Sequence, residues 1–429
     1  MAACEPNVLL DVRNLRTNFY IYKGVVKALD GVTFKVYRGE TLALVGETGC
    51  GKSVTTTSIL RLIPMPPGKI EEGEALFRGV DLLKLPLEEL RRVRGKDIAM
   101  IFQDPMTYIN PVFTIGNQLA EVIALHQDLT SEILEDKIER LSKALKALGD
   151  EPERREKLEA RLKELKPQLE LSRQVSFKEL ETLKVRMRRK GLCAEDKADI
   201  KAKITELQVK LKQLRKPSGR EVKRAAMKKA KAMLDLVRMP YAEQILHQYP
   251  HELSGGMRQR AMIAQALSCK PDLLIADEAT TSLDVTIQAQ VLALLNDLKA
   301  EIKGSAIIII THDLGVVAEM ADRVIVMYAG TIVEEALTER LFHNPLHPYT
   351  KGLMAAIPKI HVKQERLEII PGAVPNLVDP PGGCRFHPRC AFRMEICDSV
   401  KPEPIEVEPN HFVACHLFTP KKPSKKKGT

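Results

Sequence analysis

The feature that most constrains the fold is the stretch LALVGETGCGKS, in which an apolar run leads into a glycine-rich turn. Gly46, Gly51, Lys52 and Ser53 give the pattern G-x4-G-K-S between a predicted strand and a predicted helix. In that context backbone N–H groups surround a phosphate, the lysine reaches the β and γ phosphates, and the serine hydroxyl can ligate Mg2+. The pattern therefore predicts a nucleoside triphosphate site in an α/β fold.

Short apolar runs alternate with helical patterns on both sides of a long charged segment. Residues 1 to about 125 contain the predicted strands TLALVG and DIAMIFQ, and residues 253–330 contain DLLIAD, SAIIIITHD and RVIVMYAG, separated by predicted helices. Strands that alternate with helices form a mostly parallel sheet covered by helices. We therefore expect the two stretches to share one sheet.

Two acidic residues, Asp277 and Glu278, follow the predicted strand DLLIAD. An acidic residue at the carboxyl end of a strand beside a phosphate loop can hold magnesium, and a second carboxylate can polarise an attacking water. On its own such a pair is also typical of a solvated strand end. The assignment therefore depends on the phosphate loop.

The stretch LSGGMRQR predicts a second anion site at the start of a helix. Ser254, Gly255 and Gly256 offer a hydroxyl, close approach of the backbone and the positive end of the helix dipole. Two phosphate sites separated by about two hundred residues of one chain suggest that nucleotide is held between two protomers.

A charged, helix-rich segment separates the two strand-containing stretches. The basic excess behind the net charge of +10 lies in residues 131–230, whereas the rest of the chain is nearly balanced. Breakers near Pro167, Gly191 and Lys216–Gly219 favour a folded-back hairpin, with packing of helices on the main body as the alternative for the first block. The apolar residues that follow coiled-coil spacing are Leu158, Leu162, Leu165, Leu169, Ile200, Ile204, Leu207, Leu211 and Leu214.

The end of the chain carries four of its eight cysteines in a proline-rich, loop-like segment. Cys384, Cys390, Cys397 and Cys415 are spaced C-x5-C-x6-C-x17-C, without the tight C-x2-C pairs of most zinc sites. Four thiolates suit zinc or an iron–sulfur cluster by number, and the spacing does not choose between them. Because the chain has no signal pattern and no apolar run long enough to span a membrane, we expect an intracellular protein in which disulfides are disfavoured.

In order and context, these motifs resemble those of ABC transporter ATPase subunits. The shared sequences are GETGCGKS, FQDP, LSGGMRQR, LLIADE, SLD and THD, and the resemblance covers residues 7–125 and 222–418. The sequences FQDPMTYINP, NPLHPYT, PGAVPNL and GCRFHPRC narrow it to the ATPases of oligopeptide and dipeptide permeases. Family members usually have a shorter helical subdomain, so the resemblance implies no role for the inserted segment.

The resemblance implies an α/β P-loop NTPase core, a helical subdomain with a coiled-coil-like insertion, and a small, loop-rich, metal-bound C-terminal extension. The expected boundaries are 1–103 and 254–335 for the core, 104–253 for the helical subdomain, about 130–222 for the inserted hairpin, 336–418 for the extension, and 419–429 for a disordered basic tail.

The resemblance also implies a role for each matching residue at the nucleotide. Glu278 is expected to be the general base, His312 to contact the γ-phosphate, and Gln103 to link Mg2+ and the attacking water to a membrane-facing loop. The residues expected to bind ATP and Mg2+ in and beside the phosphate loop are Gly46, Glu47, Thr48, Gly49, Cys50, Gly51, Lys52, Ser53, Val54 and Asp277.

Further matching positions imply contacts with a second protomer and with the adenine ring. Ser254–Gly256 are expected to bind the ATP held by the opposite protomer, and Asp284 in SLD is expected at the interface. Phe19 best fits the spacing of the aromatic residue that stacks on adenine, with Tyr20 and Tyr22 as close rivals.

By resemblance, the chain is expected to be the ATP-hydrolysing motor of an importer, peripheral at the cytoplasmic face of the cell membrane. The implied cargo is peptides or oligosaccharides, or nickel. The implied partners are a second ATPase subunit in a heterodimer, two integral membrane permease subunits and an extracytoplasmic substrate-binding protein. The four cysteines are expected to hold a 4Fe-4S cluster, with zinc as the alternative.

A soluble ABC ATPase that acts on nucleic acid or ribosomes is the alternative function. The basic helical insertion would suit such a role. That segment lacks the aromatic residues that stack on bases, however, and the chain carries one ATPase cassette. We therefore favour the importer and expect no nucleic acid partner.

Overall fold

The computed structural model describes residues 7–148, 152–174, 180, 183, 187, 194–214, 216–279, 285–301, 304–356 and 370–419. Its strands are β1 (Val8–Ile21), β2 (Gly24–Tyr37), β3 (Thr41–Val45), β4 (Gly68–Phe77), β5 (Val80–Asp81), β6 (Ile98–Ile101), β7 (Leu273–Asp277), β8 (Ala306–Ile310), β9 (Arg323–Tyr328), β10 (Thr331–Leu337), β11 (Ile405–Glu408) and β12 (His411–Val413). Asp284, the break predicted near Gly191 and the predicted tail from residue 420 lie outside the described residues.

The α-helices are numbered here in chain order. They are α1 (Lys52–Ile59), α2 (Leu87–Val93), α3 (Pro105–Tyr108), α4 (Ile115–His126), α5 (Thr130–Ala147), α6 (Pro152–Gln174), α7 (Ala194–Gln213), α8 (Gly219–Leu236), α9 (Ala242–Ile245), α10 (Gly255–Leu267), α11 (Val285–Glu301), α12 (Leu314–Met320), α13 (Thr338–His343), α14 (Pro348–Ala355) and α15 (Ile396–Ser399). In the described part of the chain, no helix is both long enough and apolar enough to span a membrane.

Uninterrupted apolar runs form the centre of an eight-stranded sheet with the order β11-β12-β10-β9-β3-β8-β7-β6. Strands β9, β3, β8, β7 and β6 pair in parallel. All residues of β3, β7 and β8 are buried, which requires apolar residues on both faces. Because β3 lies between β8 and β9, the two strand-containing stretches share one sheet, as the sequence predicts.

The parallel strands bring their carboxyl ends to one edge of this sheet. The phosphate loop follows β3, Glu278 follows β7, and His312 comes two residues after β8. Ligands of open α/β sheets bind at this edge. The topology therefore brings the phosphate loop, Glu278 and His312 to one edge of the sheet.

A second sheet, which the sequence analysis did not predict, is antiparallel and has the order β2-β1-β4-β5. The strands β1 and β2 are long and interrupted by register shifts, for example between Val12 and Leu15. Such irregularities break the alternation of polar and apolar residues on which strand prediction depends.

The described residues fall into two compact units. Those up to Asp104 and from Pro271 onward form the first, and those of Pro105–Lys270 form the second. Helix α10 lies in the second unit, where it packs on α8 and α4. The sequence analysis instead placed the start of the second part of the nucleotide-binding core at residue 254.

In the second unit, α5 and α6 form an antiparallel pair. The Ser131 hydroxyl near the start of α5 donates to the Ser172 hydroxyl near the end of α6 at 3.0 Å, and Arg173 contacts Glu135 at 2.8 Å. The break predicted at Lys216–Gly219 lies between α7 and α8, where Ser218 begins α8 with a reciprocal capping box. In both blocks of coiled-coil spacing, several of the predicted leucine or isoleucine side chains are buried.

The prediction of a helix break near Pro167 is wrong. Helix α6 continues through Pro167 to Gln174. Proline removes one backbone donor and leaves the carbonyl four residues earlier, that of Lys163, without its helical partner. Because Lys163 is exposed, water can satisfy that carbonyl.

The C-terminal extension contains regular structure in addition to the predicted loops. Strands β12 and β11 continue the main sheet beyond β10. The buried Glu334 carboxylate on β10 accepts hydrogen bonds from the backbone N–H groups of Leu346 at 2.7 Å and His347 at 2.9 Å, and lies 2.8 Å from His411 Nε2 on β12. A buried polar side chain is tolerated here because these groups satisfy its oxygens.

Candidate nucleotide-binding site

The phosphate loop between β3 and α1 depends on glycine at two positions. Gly46 has φ 149°, and a Cβ atom there would lie 2.2 Å from the Met327 carbonyl oxygen. Gly51 caps the start of α1 with φ 101°, and a Cβ atom there would lie 2.9 Å from Leu29. Larger side chains would displace the loop from β9 and β2. The local sequence therefore encodes a tight turn between β3 and α1.

The Lys52 side chain lies along the inside of this loop. Its Nζ donates to the carbonyl oxygens of Gly46 at 2.7 Å and Glu47 at 3.1 Å. The side chain is 5% exposed. Because neutral carbonyls orient the ammonium group without cancelling its charge, it can still attract a phosphate.

The other predicted loop residues differ in their exposure. Thr48 and Gly49 are exposed at the tip of the loop, and Val54 is half-buried in α1. The Cys50 thiol is buried, and burial raises its pKa. A buried neutral thiol packs as a small apolar side chain, so Cys50 contributes to the loop through its backbone and its packing.

Two oxygen donors suited to Mg2+ meet beside the loop. Ser53 Oγ donates to Asp277 Oδ1 at 2.9 Å. The pKa of Asp277 is raised to about 6, chiefly by burial, and also by the charge of Glu278. A hydroxyl and a carboxylate are hard ligands of the kind that Mg2+ prefers, and a bound cation would offset the cost of the buried charge. These residues therefore fit the ion.

The structure brings together the three residues predicted to be catalytic. Gln103 Nε2 donates to Glu278 Oε2 at 2.5 Å, and His312 Nδ1 lies 3.5 Å from Glu278 Oε1. The Glu278 side chain is 14% exposed, whereas that of His312 is 59% exposed. This arrangement holds a carboxylate at the edge of the sheet with a neutral donor on one oxygen and an imidazole near the other.

The backbone of Glu278 is in an uncommon conformation. Its φ is 45°, in the left-handed region, and its N–H donates to the Ile310 carbonyl oxygen at 2.9 Å. A residue other than glycine pays about 1–3 kcal/mol for such a conformation, and strain of this kind concentrates at functional sites. The turn after β7 directs the Glu278 carboxylate toward Gln103 and His312.

The second predicted anion site lies at the start of α10, in the second compact unit. Ser254 Oγ accepts a hydrogen bond from the Met257 N–H at 3.4 Å and thereby caps the helix. Ser254 and Gly255 are exposed, and a Cβ atom on Gly255 would meet nothing within 4 Å. Gly256 is half-buried in the first turn. The backbone around Ser254 is thus open to a ligand from outside.

The three aromatic candidates for adenine stacking differ in their surroundings. Phe19 is half-buried on β1 and lies against Gly68. The Tyr20 hydroxyl donates to Glu71 at 2.5 Å, and Tyr22 is fully exposed. The assignment of Phe19 stays a prediction.

The C-terminal extension makes two contacts with the phosphate loop that the sequence motifs did not predict. Tyr349 Oη accepts the Glu47 N–H at 2.8 Å, and Arg389 forms a two-pronged ion pair with the Glu47 carboxylate. Both residues stand in motifs that the sequence analysis used only to assign a subfamily, NPLHPYT and GCRFHPRC. The position of Tyr349 and Arg389 in these two motifs was the only sequence signal that could have indicated the contacts.

The four C-terminal cysteines are free thiols. The Cys384 N–H donates to the Cys397 carbonyl at 2.8 Å. Burial, and then the charges of the other three cysteines, raise the pKa of Cys415 to about 11. Among the residues that the structure describes, no group of three or more histidine, cysteine or acidic side chains is arranged to hold a metal ion. The predicted metal-bound character of the extension therefore stays a prediction.

Comparison with known proteins gives consistent matches along the chain. Residues 29–281 match a family model described as ABC transporter, and residues 333–397 match one described as oligopeptide/dipeptide transporter, C-terminal region. The chain is 42% identical to a probable peptide ABC transporter ATP-binding protein, y4tR, of Sinorhizobium fredii, over 96% of this chain and 95% of that protein. It is 40% identical to the oligopeptide transport ATP-binding protein OppD of Bacillus subtilis, over 97% of this chain and 90% of that protein.

Among solved structures, the chain is similar to the dimeric post-hydrolysis state of the ATP-binding cassette MJ0796 bound to ADP and Pi. The TM-score is 0.50 at 19% identity, over 77% of this chain and 98% of that chain. At that identity the likeness supports the fold, which is the α/β fold of an ATP-binding cassette.

Proposed function

Because the chain belongs to the ABC transporter family, we propose that it is the ATP-hydrolysing subunit of an importer of dipeptides or oligopeptides. The observation that carries the ATPase assignment is the grouping of Gln103, Glu278 and His312 beside the phosphate loop. The peptide assignment rests on the named relatives and on the match of residues 333–397 to the transporter C-terminal region. These relatives are named for peptides, and they lend no support to oligosaccharides, nickel or nucleic acid.

The reaction is phosphoryl transfer from ATP to water, in which positioning and charge stabilisation supply most of the catalysis. Lys52 and the loop N–H groups hold the phosphates, and Ser53 and Asp277 would hold Mg2+. When bound, Mg2+ neutralises charge that develops on the phosphate oxygens. Glu278 accepts the proton of the attacking water, Gln103 orients that carboxylate, and His312 contacts the γ-phosphate.

A second ATPase subunit completes the machinery in this proposal. Ser254–Gly256, at the exposed start of α10, would bind the nucleotide held by that partner. Asp284 would lie at the interface. A closed pair of subunits would then enclose two nucleotides, each between the phosphate loop of one subunit and the Ser254–Gly256 segment of the other. We propose that the partner is a paralogous ATPase, so that the assembly is a heterodimer.

The transporter also requires membrane subunits. We propose that two integral membrane permease subunits bind this chain at the cytoplasmic face of the membrane and that an extracytoplasmic binding protein delivers the peptide. Selection of the peptide would belong to those proteins, because the residues of the ATP site recognise phosphates.

We further propose a 4Fe-4S cluster on Cys384, Cys390, Cys397 and Cys415, with zinc as the alternative. Four free thiols within 32 residues of the chain are donors of the kind that both groups use. Protein purified without oxygen should contain iron and acid-labile sulfide, and its solution should be brown. Zinc without iron would favour the alternative, and absence of both metals would contradict the metal-bound extension.

Glu278→Gln tests the function directly. We expect ATP binding to persist while hydrolysis falls by about 10²–10⁴-fold, because only the general base is lost. ATP-driven peptide uptake by vesicles that contain the complete transporter should fall in parallel. Glu319→Gln, on the exposed face of α12, is the matched control. Near-normal turnover in Glu278→Gln would remove the residue from the base role, and ATP-independent peptide uptake would contradict the transport assignment.

A further inference from the structure

The phosphate loop contains a carboxylate, that of Glu47, whose charge opposes the binding of a triphosphate. In the structure both oxygens of this carboxylate contact one guanidinium group. Arg389 Nη1 donates to Glu47 Oε2 at 2.6 Å, and Nη2 donates to Oε1 at 3.1 Å. Parallel hydrogen bonds of this kind are among the strongest in proteins. The Arg389 side chain is 5% exposed and that of Glu47 is 28% exposed, so solvent reaches the pair only from the carboxylate side.

The C-terminal extension holds Arg389 in place independently of Glu47. Arg389 Nε donates to the Pro371 carbonyl at 2.8 Å, and Nη2 donates to the Ile370 carbonyl at 3.3 Å. The guanidinium group also lies 5.8 Å from the centre of the Tyr328 ring. The fork is therefore oriented before it contacts the loop, which lowers the entropic cost of the ion pair.

Glu47 transmits this contact to the groups that bind phosphate. Its N–H donates to Tyr349 Oη at 2.8 Å, and its carbonyl oxygen accepts the Lys52 ammonium group at 3.1 Å. The side chain, the N–H and the C=O of one loop residue are thus all engaged. Movement of Glu47 would displace the lysine expected to reach the β and γ phosphates.

A second arginine of the same segment is connected to the loop through the turn that follows β9. Arg385 Nη1 donates to the Ala329 carbonyl, and the next residue, Gly330, donates its N–H to the Cys50 carbonyl at 2.8 Å. Arg385 follows Cys384, and Arg389 precedes Cys390. The segment that carries the first two cysteines therefore contacts the phosphate loop directly through one arginine and indirectly through the other.

We propose that Arg389 is a positioning residue for ATP: it neutralises Glu47 and fixes the phosphate loop in the geometry that binds the triphosphate. The inference rests on the ATPase function proposed above. It assigns to the C-terminal extension a role in nucleotide affinity. Because Arg389 contacts the loop and leaves Glu278, Gln103 and His312 unchanged, its loss should raise the KM for ATP more than it lowers kcat.

The test measures Mg–ATP binding to the full chain by titration calorimetry, together with KM and kcat. We expect Arg389→Gln to raise the ATP dissociation constant about tenfold, within the ordinary range for coupled sites. In a Glu47→Gln background the same substitution should have less than about a threefold effect, because no carboxylate remains to be neutralised. Arg393→Gln, in the same segment but with a half-exposed side chain, is the matched control and should match the unsubstituted protein.

Equal effects of Arg389→Gln in the two backgrounds would overturn the proposal and assign Arg389 a general structural role. A fall in kcat with an unchanged KM would also overturn it. If Arg389→Gln does not fold, Arg389→Lys replaces it, since lysine keeps the charge but cannot form two parallel bonds. Unchanged ATP affinity in Arg389→Lys would then overturn the role of the two parallel hydrogen bonds in fixing the loop. Failure of the unsubstituted chain to bind ATP would instead contradict the proposed function.

Discussion

The phosphate loop contacts two sets of residues that the sequence encodes in different ways. Lys52, Ser53 and Asp277 stand in short sequence motifs. These motifs lie at the carboxyl ends of β3 and β7, which belong to one parallel sheet. Tyr349 and Arg389 come from the C-terminal extension and meet the loop at Glu47, across a sequence separation of 342 residues for Arg389. In our proposal the motif side supplies the groups that act on the nucleotide, whereas the extension side fixes the loop. Local motifs thus encode chemistry, and distant contacts set affinity.

The largest effect should come from the motif side. Lys52→Ala removes the cation expected at the β and γ phosphates, and we expect ATP hydrolysis to fall by about 10²–10³-fold, as for loss of one preorganised electrostatic donor. Steady-state phosphate release measures it. Lys84→Ala, an exposed lysine on the same compact unit, is the control. If Lys52→Ala lowers ATP hydrolysis no more than the substitutions at Tyr349 and Arg389 do, the distinction between the two sides is wrong.

An intermediate effect should come from pH. Burial raises the pKa of Asp277 to about 6, so the ionised carboxylate lowers the stability of the folded protein as pH rises from about 4 to 6, and a bound cation offsets that cost. Below about pH 6 the proton competes with Mg2+, and we expect the apparent Mg2+ affinity to fall up to about tenfold per pH unit. Thermal unfolding with Mg–ADP from pH 5 to 8 measures it. An affinity that does not change over this range would contradict the assignment of Asp277 to Mg2+.

The smallest effect should come from Tyr349→Phe. The substitution removes the acceptor of the Glu47 N–H but keeps the ring, which packs in an edge-on contact with Tyr328 at 4.7 Å between ring centres. Loss of one such hydrogen bond costs about 0.5–1.5 kcal/mol, so the ATP dissociation constant should rise roughly threefold. Tyr241→Phe, at an exposed tyrosine, is the control. A kcat defect without a change in affinity would contradict the division of roles.

Much of the parallel sheet and of its functional edge could be predicted from the sequence. The runs TLALV and AIIII are too apolar for any strand except one buried on both faces. Once β3 and β7 are parallel neighbours of β8, Gly46 and Glu278 must lie at the same edge. Short-range sequence patterns therefore sufficed for the residues that meet there.

Other features depend on contacts that short-range patterns do not contain. The ion pair of Arg389 and Glu47 requires the fold of the entire first unit, and neither residue alone indicates the other. Pro167 predicts a helix break by local rules, but the exposed position of α6 and its packing on α5 tolerate the proline. The register shifts in β1 likewise hide the antiparallel sheet.

The hairpin of β11 and β12 has a consequence for the behaviour of the protein in solution. A sheet edge with unpaired backbone groups is a template for association with other chains. Strand β12 occupies the outer edge of β10, so the new edge is β11, which is four residues long and carries Glu406 and Glu408. Short, acidic edges pair poorly with other strands. On this argument the hairpin lowers the tendency of this edge of the sheet to associate with other chains, a role separate from the contacts of the extension with the phosphate loop.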